Sequence, residues 1–426
     1  MANLSGNSWK EIRHKRVLTF TSDWQNCPVN QYYIINRILL LCIGLWPYQK
    51  SSFRRIIITF TTIMIASGII FQLTIFITTE YNLDMLLRVL TYSIPWLSYM
   101  FKYNVYCLNI RRIRYLMERI QHDWNQLNDM QEIEIIKEYA AFARLITLIT
   151  TLFFYVSIFS FIVAQFLFNI LLDITSSKNE SRLRQFPVLI ECFIDQQKYY
   201  FPILIQIYII VVCGLTTVVA TEMLNMSFIL HACGLFDVAS HAINFSCRIE
   251  QALHENTVQN ISSPTERSLI ICRGIIHGFN MYQRANEFVE MMKVLYTRAY
   301  SLLLPIGVLS LSINLYRFSQ LITTEDYYET IISFVFISGH FWYMLFGNYI
   351  GQQVIDHSSD VFYKTYNGQW YVASLKAQKL LLLVMQRSMR HCTIVIAGLF
   401  ISSLEGFATL ASSSISYFAV IVSLST

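Results

Sequence analysis

The sequence predicts an all-α polytopic membrane protein with seven transmembrane helices, a cytoplasmic N-terminus, an extracellular C-terminus and helical extensions on the cytoplasmic side. Three observations carry this. Of the 426 residues, 54% are hydrophobic and 14% charged, whereas a soluble chain carries about 25% charged residues; mean hydropathy is +0.44. So little charge cannot cover a water-soluble body of this length. Seven segments, 55–79, 85–108, 141–172, 201–230, 294–318, 328–350 and 400–425, reach the roughly 20 mainly apolar residues that a bilayer core requires. Lysine and arginine then collect on one side of the resulting topology, and such clusters resist translocation.

The elements follow in chain order. Residues 1–54 form a cytoplasmic segment in which no apolar stretch precedes a small-residue cleavage site, so insertion is expected to begin at an internal span. Residues 32–46 (YYIINRILLLCIGLW) are apolar but short, contain Arg37 and stop at Pro47. They read as an interfacial helix rather than a crossing. Residues 55–350 make a six-helix bundle with its connecting loops, 351–391 a cytoplasmic loop with an amphipathic anchor helix, and 392–426 a last helix. Residues 1–55 carry eight Lys/Arg, 109–144 six, 231–300 six and 351–391 five. The opposite flanks carry one in 80–88, four in 173–198 and one in 317–327. The inner side holds 25 cations against 6, and seven crossings then deliver the C-terminus outside.

Outer connections are short except 173–200, which contains the glycosylation sequon Asn179-Glu180-Ser181. Segment 231–293 is helical in pattern on both sides of the breaker Ser262-Ser263-Pro264, so long helices are expected to project from the membrane. In 375–391 (LKAQKLLLLVMQRSMRH), Lys376, Lys379, Arg387 and Arg390 share one helical stripe and the rest is almost wholly apolar. Two readings stand side by side: a helix lying on anionic lipid, or one packing against a neighbouring subunit.

Several function classes are excluded. HExxH, GxGxxG, P-loop and GxSxG sequences are absent, and the nine cysteines are scattered singly without metal-ligand spacing. Neither an enzyme nor a cofactor is implied. The net charge of +5 lies in membrane flanks rather than on a soluble face, so nucleic acid is not a partner. A G-protein-coupled receptor has the reverse orientation; its Asp/Glu-Arg-Tyr and Asn-Pro-x-x-Tyr motifs are missing after spans three and seven. Intramembrane ionisable groups look scarce. Lys102 is expected to snorkel from the inner half of span two, Glu405 to sit at the inner interface, and His231 and His241 to be satisfied helix residues rather than ligands. With no inverted repeats, a transporter is disfavoured.

The last span is unusual. It carries Ser402, Ser403, Ser412, Ser413, Ser414, Ser416 and Ser423 with Gly406, Ala408, Ala411 and Ala419. Small residues permit close helix packing, and hydroxyls also suit the wall of a wet pathway. In the second case Val420 and Leu424, one turn apart, form an apolar gate with Ser416 and Ser423 near the same face.

The run Thr365-Tyr366-Asn367-Gly368-Gln369-Trp370-Tyr371 is followed by residues 380–388 (LLLLVMQRS), Ala397-Gly398-Leu399-Phe400, Ser403-Leu404-Glu405-Gly406-Phe407 and Ser416-Tyr417-Phe418. This succession resembles the closing signature of insect odorant receptors. Ser240-His241, Ile249-Glu250, Leu253, Glu255-Asn256, His277 and Arg284-Ala285-Asn286-Glu287-Phe288 fit the same family in the style of ant, bee and wasp sequences. His391 departs from it, standing where the family usually has proline. Gustatory receptors share the fold and supply the alternative reading, a gustatory-type channel; the Trp370-Tyr371 and Met385-Gln386-Arg387-Ser388 blocks favour the odorant branch.

The resemblance implies a ligand-gated cation channel in the plasma membrane, a heterotetramer with the odorant receptor coreceptor whose last helices line one pore. The coreceptor's long second cytoplasmic loop is missing here, so the chain resembles an odorant-binding tuning subunit. Its ligand would be a small hydrophobic odorant or pheromone held in the outer half of the bundle between spans two, three, four and six. Matched by depth, the pocket residues are Val89, Tyr92, Ser93 and Trp96; Phe161, Ala164 and Gln165; Phe201, Leu204 and Ile205; and Phe334 and Ile337. A pocket for such molecules selects by shape and aromatic walls with one or two polar groups.

Overall fold

The computed structural model describes residues 28–79, 82–175, 186, 188, 190–254, 264–322, 327–368 and 370–425. The sequon at Asn179, the breaker residues Ser262 and Ser263, and Glu255 and Asn256 lie outside them. Almost everything described is helical. Helix α1 is Ile34–Cys42; nine residues cannot cross a bilayer. Instead Asn36, Leu39 and Leu40 are buried, with Asn36 Nδ2 donating to Ser227 Oγ at 2.9 Å. Gly44, with φ +74°, closes the helix: the Leu45 amide donates to the Leu40 carbonyl at 2.8 Å. Only glycine adopts this left-handed conformation without steric cost.

The long helices are α2 (Ser51–Leu73), which continues after Thr74 as Ile75–Thr78, and α3 (Leu83–Leu108). Helix α4 (Ile110–Gln126) follows, then α5 (Met130–Thr175), α6 (Tyr200–His254), α7 (Pro264–Leu321) and α8 (Tyr327–Asn367). The chain closes with α9 (Leu375–Ser388) and α10 (Leu404–Ser425). Among the described residues, six helices, α2, α5, α6, α7, α8 and α10, are long and apolar enough to cross a membrane. The seventh expected span, α3, has 26 residues but falls short in apolar character because Arg88 and Lys102 interrupt it. It packs against α2, α6 and α7, and a helix shielded from lipid in this way tolerates polar side chains that a lipid-facing one does not.

Helix α7 has 58 residues and α6 has 55. At 1.5 Å per residue each is roughly 80–90 Å long, against an apolar core of about 30 Å. Consecutive spans run antiparallel, so the N-terminal ends of α5 and α7 and the C-terminal ends of α6 and α8 project to one side. There they bury the largest hydrophobic core with α4 and α9, including Ile113, Leu116, Phe236, Tyr282, Phe288, Val361 and Leu381. The α5 span, by contrast, leaves Phe153, Val156, Phe159 and Phe166 exposed. Lipid exerts no hydrophobic drive between helices, whereas water does.

Both readings of 375–391 are modified. Ala377, Leu381, Val384, Met385 and Ser388 pack into the chain's own core, while Leu382 and Leu383 stay exposed beside the cations. The expected last helix from 392 also changes. It begins only at Leu404, because Val395–Ile396 (β1) pairs antiparallel with Phe400–Ile401 (β2) in a hairpin. Ala397 and Gly398, at φ +53° and +72°, make its turn, with the Leu399 amide donating to the Ile396 carbonyl, a mirror-type geometry whose twist suits antiparallel strands.

Candidate functional site

A buried polar core joins four helices. Lys102 on α3 is 1% exposed and pairs with Glu222 on α6. Its Nζ also donates to Tyr343 Oη of α8 at 3.3 Å, and Tyr300 Oη of α7 donates to Glu222 Oε2 at 2.6 Å. One turn deeper Tyr106 Oη donates to Asn225 Oδ1 at 2.8 Å. The expectation that Lys102 snorkels is therefore wrong. An opposite charge facing it across the bundle neutralises it, and two tyrosine hydroxyls satisfy its surroundings, so nothing draws it to the interface. Glu222 was legible as the lone carboxylate within 201–230, and an intramembrane charge calls for a partner. His231 is a satisfied helix residue, 3.4 Å from Asp123 Oδ2 and edge-on to Phe288.

Of the residues expected to hold a ligand, Val89, Tyr92, Ser93 and Trp96 are all buried on α3. Ser93 Oγ donates to the Val89 carbonyl at 2.8 Å. The Tyr92 ring meets Phe336 of α8 edge-on at 5.6 Å, and the Arg317 guanidinium of α7, paired with Glu329, lies 5.5 Å from the ring centre. Trp96 occupies space beside Gly68, where a Cβ would come within 2.7 Å of the indole. Gln165, Leu204 and Ile337 are buried too; Ile337 clusters with Val308, Leu311, Met344 and Leu410. Phe161, Phe201, Ile205 and Phe334 are 43–58% exposed, and Ala164 is exposed beside them. The fold thus brings Tyr92 of α3 and Phe336 of α8 together beside Arg317 of α7 and packs Ile337 against Val308 and Leu311 of α7, while Trp96 lies against Gly68 of α2. Helix α5, packed chiefly on α6, holds Phe161 and Ala164 on an outward face. Sequence reasoning overlooked Phe336 and Arg317, although Arg317 is the one cation of 317–327.

Helix α8 also grips the last helix. Asn348 Oδ1 accepts the Ser403 amide at 3.2 Å and Gln352 Oε1 the Leu404 amide at 3.3 Å. Ser403 Oγ accepts the Gly406 amide at 3.0 Å. These bonds satisfy N–H groups that a helix start leaves orphaned. Further along, Ser312 Oγ of α7 donates to the Ser414 carbonyl of α10 at 2.9 Å. Inward-facing Gly406, Leu410 and Ser414 are buried. The opposite face forms an open groove lined by Glu405, Ala408, Thr409, Ser412, Ser413 and Ser416, and beyond it Val420 and Leu424 are 53% and 81% exposed. Ser416 Oγ and Ser423 Oγ donate to the Ser412 and Val420 carbonyls at 2.9 and 2.8 Å.

A second cleft, about 280 Å³, lies among the helical extensions beside Asp237, His241, Arg248 and Lys364. Burial pushes the Asp237 carboxyl up, but hydrogen bonds from Tyr139 (2.6 Å) and Lys364 (2.9 Å) outweigh it and hold the group below the usual carboxylate value.

Comparison with known proteins bears on this arrangement. A family model described as 7tm odorant receptor matches residues 82–415. The fold is similar to that of the insect olfactory receptor OR5 from Machilis hrabei, solved in complex with eugenol, at a TM-score of 0.64 and 14% identity over 93% of this chain and 97% of that one. A structure described without eugenol gives a TM-score of 0.63 at 13% identity, with the same coverage. No curated protein matches the sequence significantly.

Proposed function

From the premise that the chain belongs to the 7tm odorant receptor family, a family of multi-pass receptor channels and not of enzymes, we propose that it is an odorant-binding tuning subunit of a non-selective cation channel. It works in the plasma membrane of an olfactory neuron as a heterotetramer with the odorant receptor coreceptor. Its N-terminus faces the cytoplasm and its C-terminus the exterior. A small, weakly polar molecule occupies the outer half of the bundle against Val89, Tyr92, Ser93, Trp96 and Ile337. Eugenol in the solved relative supports a ligand of that size.

The observation that carries the reading is the outward face of α10. A hydroxyl-rich helix turned away from its own bundle matches equivalent helices of other subunits around a water-filled axis. Ligand contact at Tyr92 and Phe336 reaches this helix through α8, whose Asn348 and Gln352 hold its first turn. A shift of α8 then moves Val420 and Leu424 together, and the two apolar rings open or close.

Recording current from cells co-expressing the chain and the coreceptor, during odorant application, tests the proposal. Odorant-evoked cation current that persists when G proteins are blocked is expected. Current abolished by that block would overturn it.

A further inference from the structure

Three polar side chains in the outer half of the bundle are buried with unmatched atoms, and the helix register brings them together. Ser310 Oγ of α7 donates to His340 Nε2 of α8 at 2.9 Å, while His340 Nδ1 donates to the Phe336 carbonyl at 2.7 Å. From that bond, two turns outward along each antiparallel helix lead to Arg317 and Ser333. Phe318 and Phe334, with ring centres 6.2 Å apart, show that α7 and α8 are in contact at that level. Asn314, one turn before Arg317, falls opposite Phe336.

Asn314 is 0% exposed, Arg317 4% and Ser333 1%. Arg317 Nη2 bonds Glu329 and the guanidinium also meets the Tyr92 hydroxyl, but Arg317 Nε and Nη1, Asn314 Oδ1 and Ser333 Oγ lack a hydrogen bond of normal geometry. A buried donor without an acceptor carries an uncompensated desolvation penalty, larger for a charged group. Such atoms clustered at one place mark a site completed by something else. Tyr92 and Phe336 supply its aromatic walls, with the Tyr92 hydroxyl turned to Arg317.

We propose that Asn314, Arg317 and Ser333 form the polar end of the ligand site and select an oxygenated molecule whose carbonyl or carboxylate oxygen accepts from Arg317. This rests on the reading that the chain binds small ligands in the outer half of its bundle. With Nη2 engaged by Glu329, Nε and Nη1 point to different sides, so each takes a single acceptor rather than a bidentate fork. A hydrocarbon of the same length cannot use either donor.

The test compares heptan-2-one, heptanoic acid and heptane on the channel co-expressed with the coreceptor, with surface labelling of every variant. Wild type is expected to respond to at least one oxygenated ligand at a concentration about tenfold or more below that for heptane. Arg317→Lys keeps the charge facing Glu329 but loses the fixed, separately aimed Nε and Nη1 donors, and it should reduce that advantage several-fold while the heptane response stays. Ser333→Ala, a smaller change, guards against misfolding and should reduce the advantage in part. Glu329→Gln should improve the acid more than the ketone if the favoured ligand is charged, and both equally if it is neutral. Should wild type pass no current, the channel reading fails, and binding of the same three ligands to the purified chain decides the inference separately. Wild type that favours heptane or does not discriminate, or an unchanged preference in Arg317→Lys, overturns it.

Discussion

Lys102 and Glu222 sit where four helices meet, each wrapped by tyrosine hydroxyls. Removing one charge from such a pair costs about 3–5 kcal/mol, because the other stays buried without compensation, whereas removing both is often tolerated. Lys102→Met alone should therefore sharply reduce surface expression. Lys102→Met with Glu222→Gln should restore much of it, since the amide still accepts from Tyr300. Equal loss in the single and double variants, read by surface labelling, would show that the charges do not compensate each other. His277 offers a second residue-scale prediction in the extensions. Its Nε2 lies 2.8 Å from Glu132 Oε1, and that hydrogen bond raises the imidazole pKa against the opposing effect of burial. The interaction contributes fully below the unfolded value of about 6.5 and is lost as pH rises through the higher folded value. Wild type should thus melt above His277→Gln in mildly acidic detergent solution, and the Tm gap should close at alkaline pH. A gap independent of pH would discard the interaction.

At the scale of elements, α10 is set by what surrounds each of its faces. Gly406, Leu410 and Ser414 turn inward against α7 and α8; Ser416, Val420, Ser423 and Leu424 turn away. Composition alone left this helix divided between packing and lining, and the structure assigns packing to one face while leaving the hydroxyl groove to the other. If Val420 is an apolar gate, Val420→Ala in the co-expressed channel should raise basal leak or alter cation selectivity. Unchanged conductance and selectivity would remove Val420 from the gate. Helix α9 teaches the same lesson in reverse. Its cationic stripe was plain in the sequence, yet which apolar residues it buries depended on the facing surfaces of α7 and α8. A hairpin of two short strands inside the last predicted segment escaped notice because Ala397 and Gly398 sit in an otherwise continuous apolar run, where hydropathy does not register a turn.

For the whole molecule, the proposed topology has one direct consequence. A tag fused after Thr426 should react with an impermeant label on intact cells, and a tag at the N-terminus should react only after permeabilisation. The opposite pattern would reverse the orientation and, with it, the outward pocket. The long helices and their projecting ends were readable from the sequence, as was the family signature in 365–418. The candidate pocket was readable only by depth: Tyr92 and Ile337 are buried, but Phe161 and Ala164 of the same set lie on an exterior face.

That division has a physical origin. Hydropathy and cationic flanks are local sums over twenty or so residues, and they suffice to say where apolar helices form and on which side of them charge accumulates. Contacts such as Lys102 with Glu222, or Arg317 with Tyr92, depend on the rotation and depth of each helix against three others. Lipid is indifferent to those choices, since an apolar face is equally at home against acyl chains or a neighbouring helix. Side-chain shape and the need to pair buried polar groups select among them, and both come into being only when the helices pack.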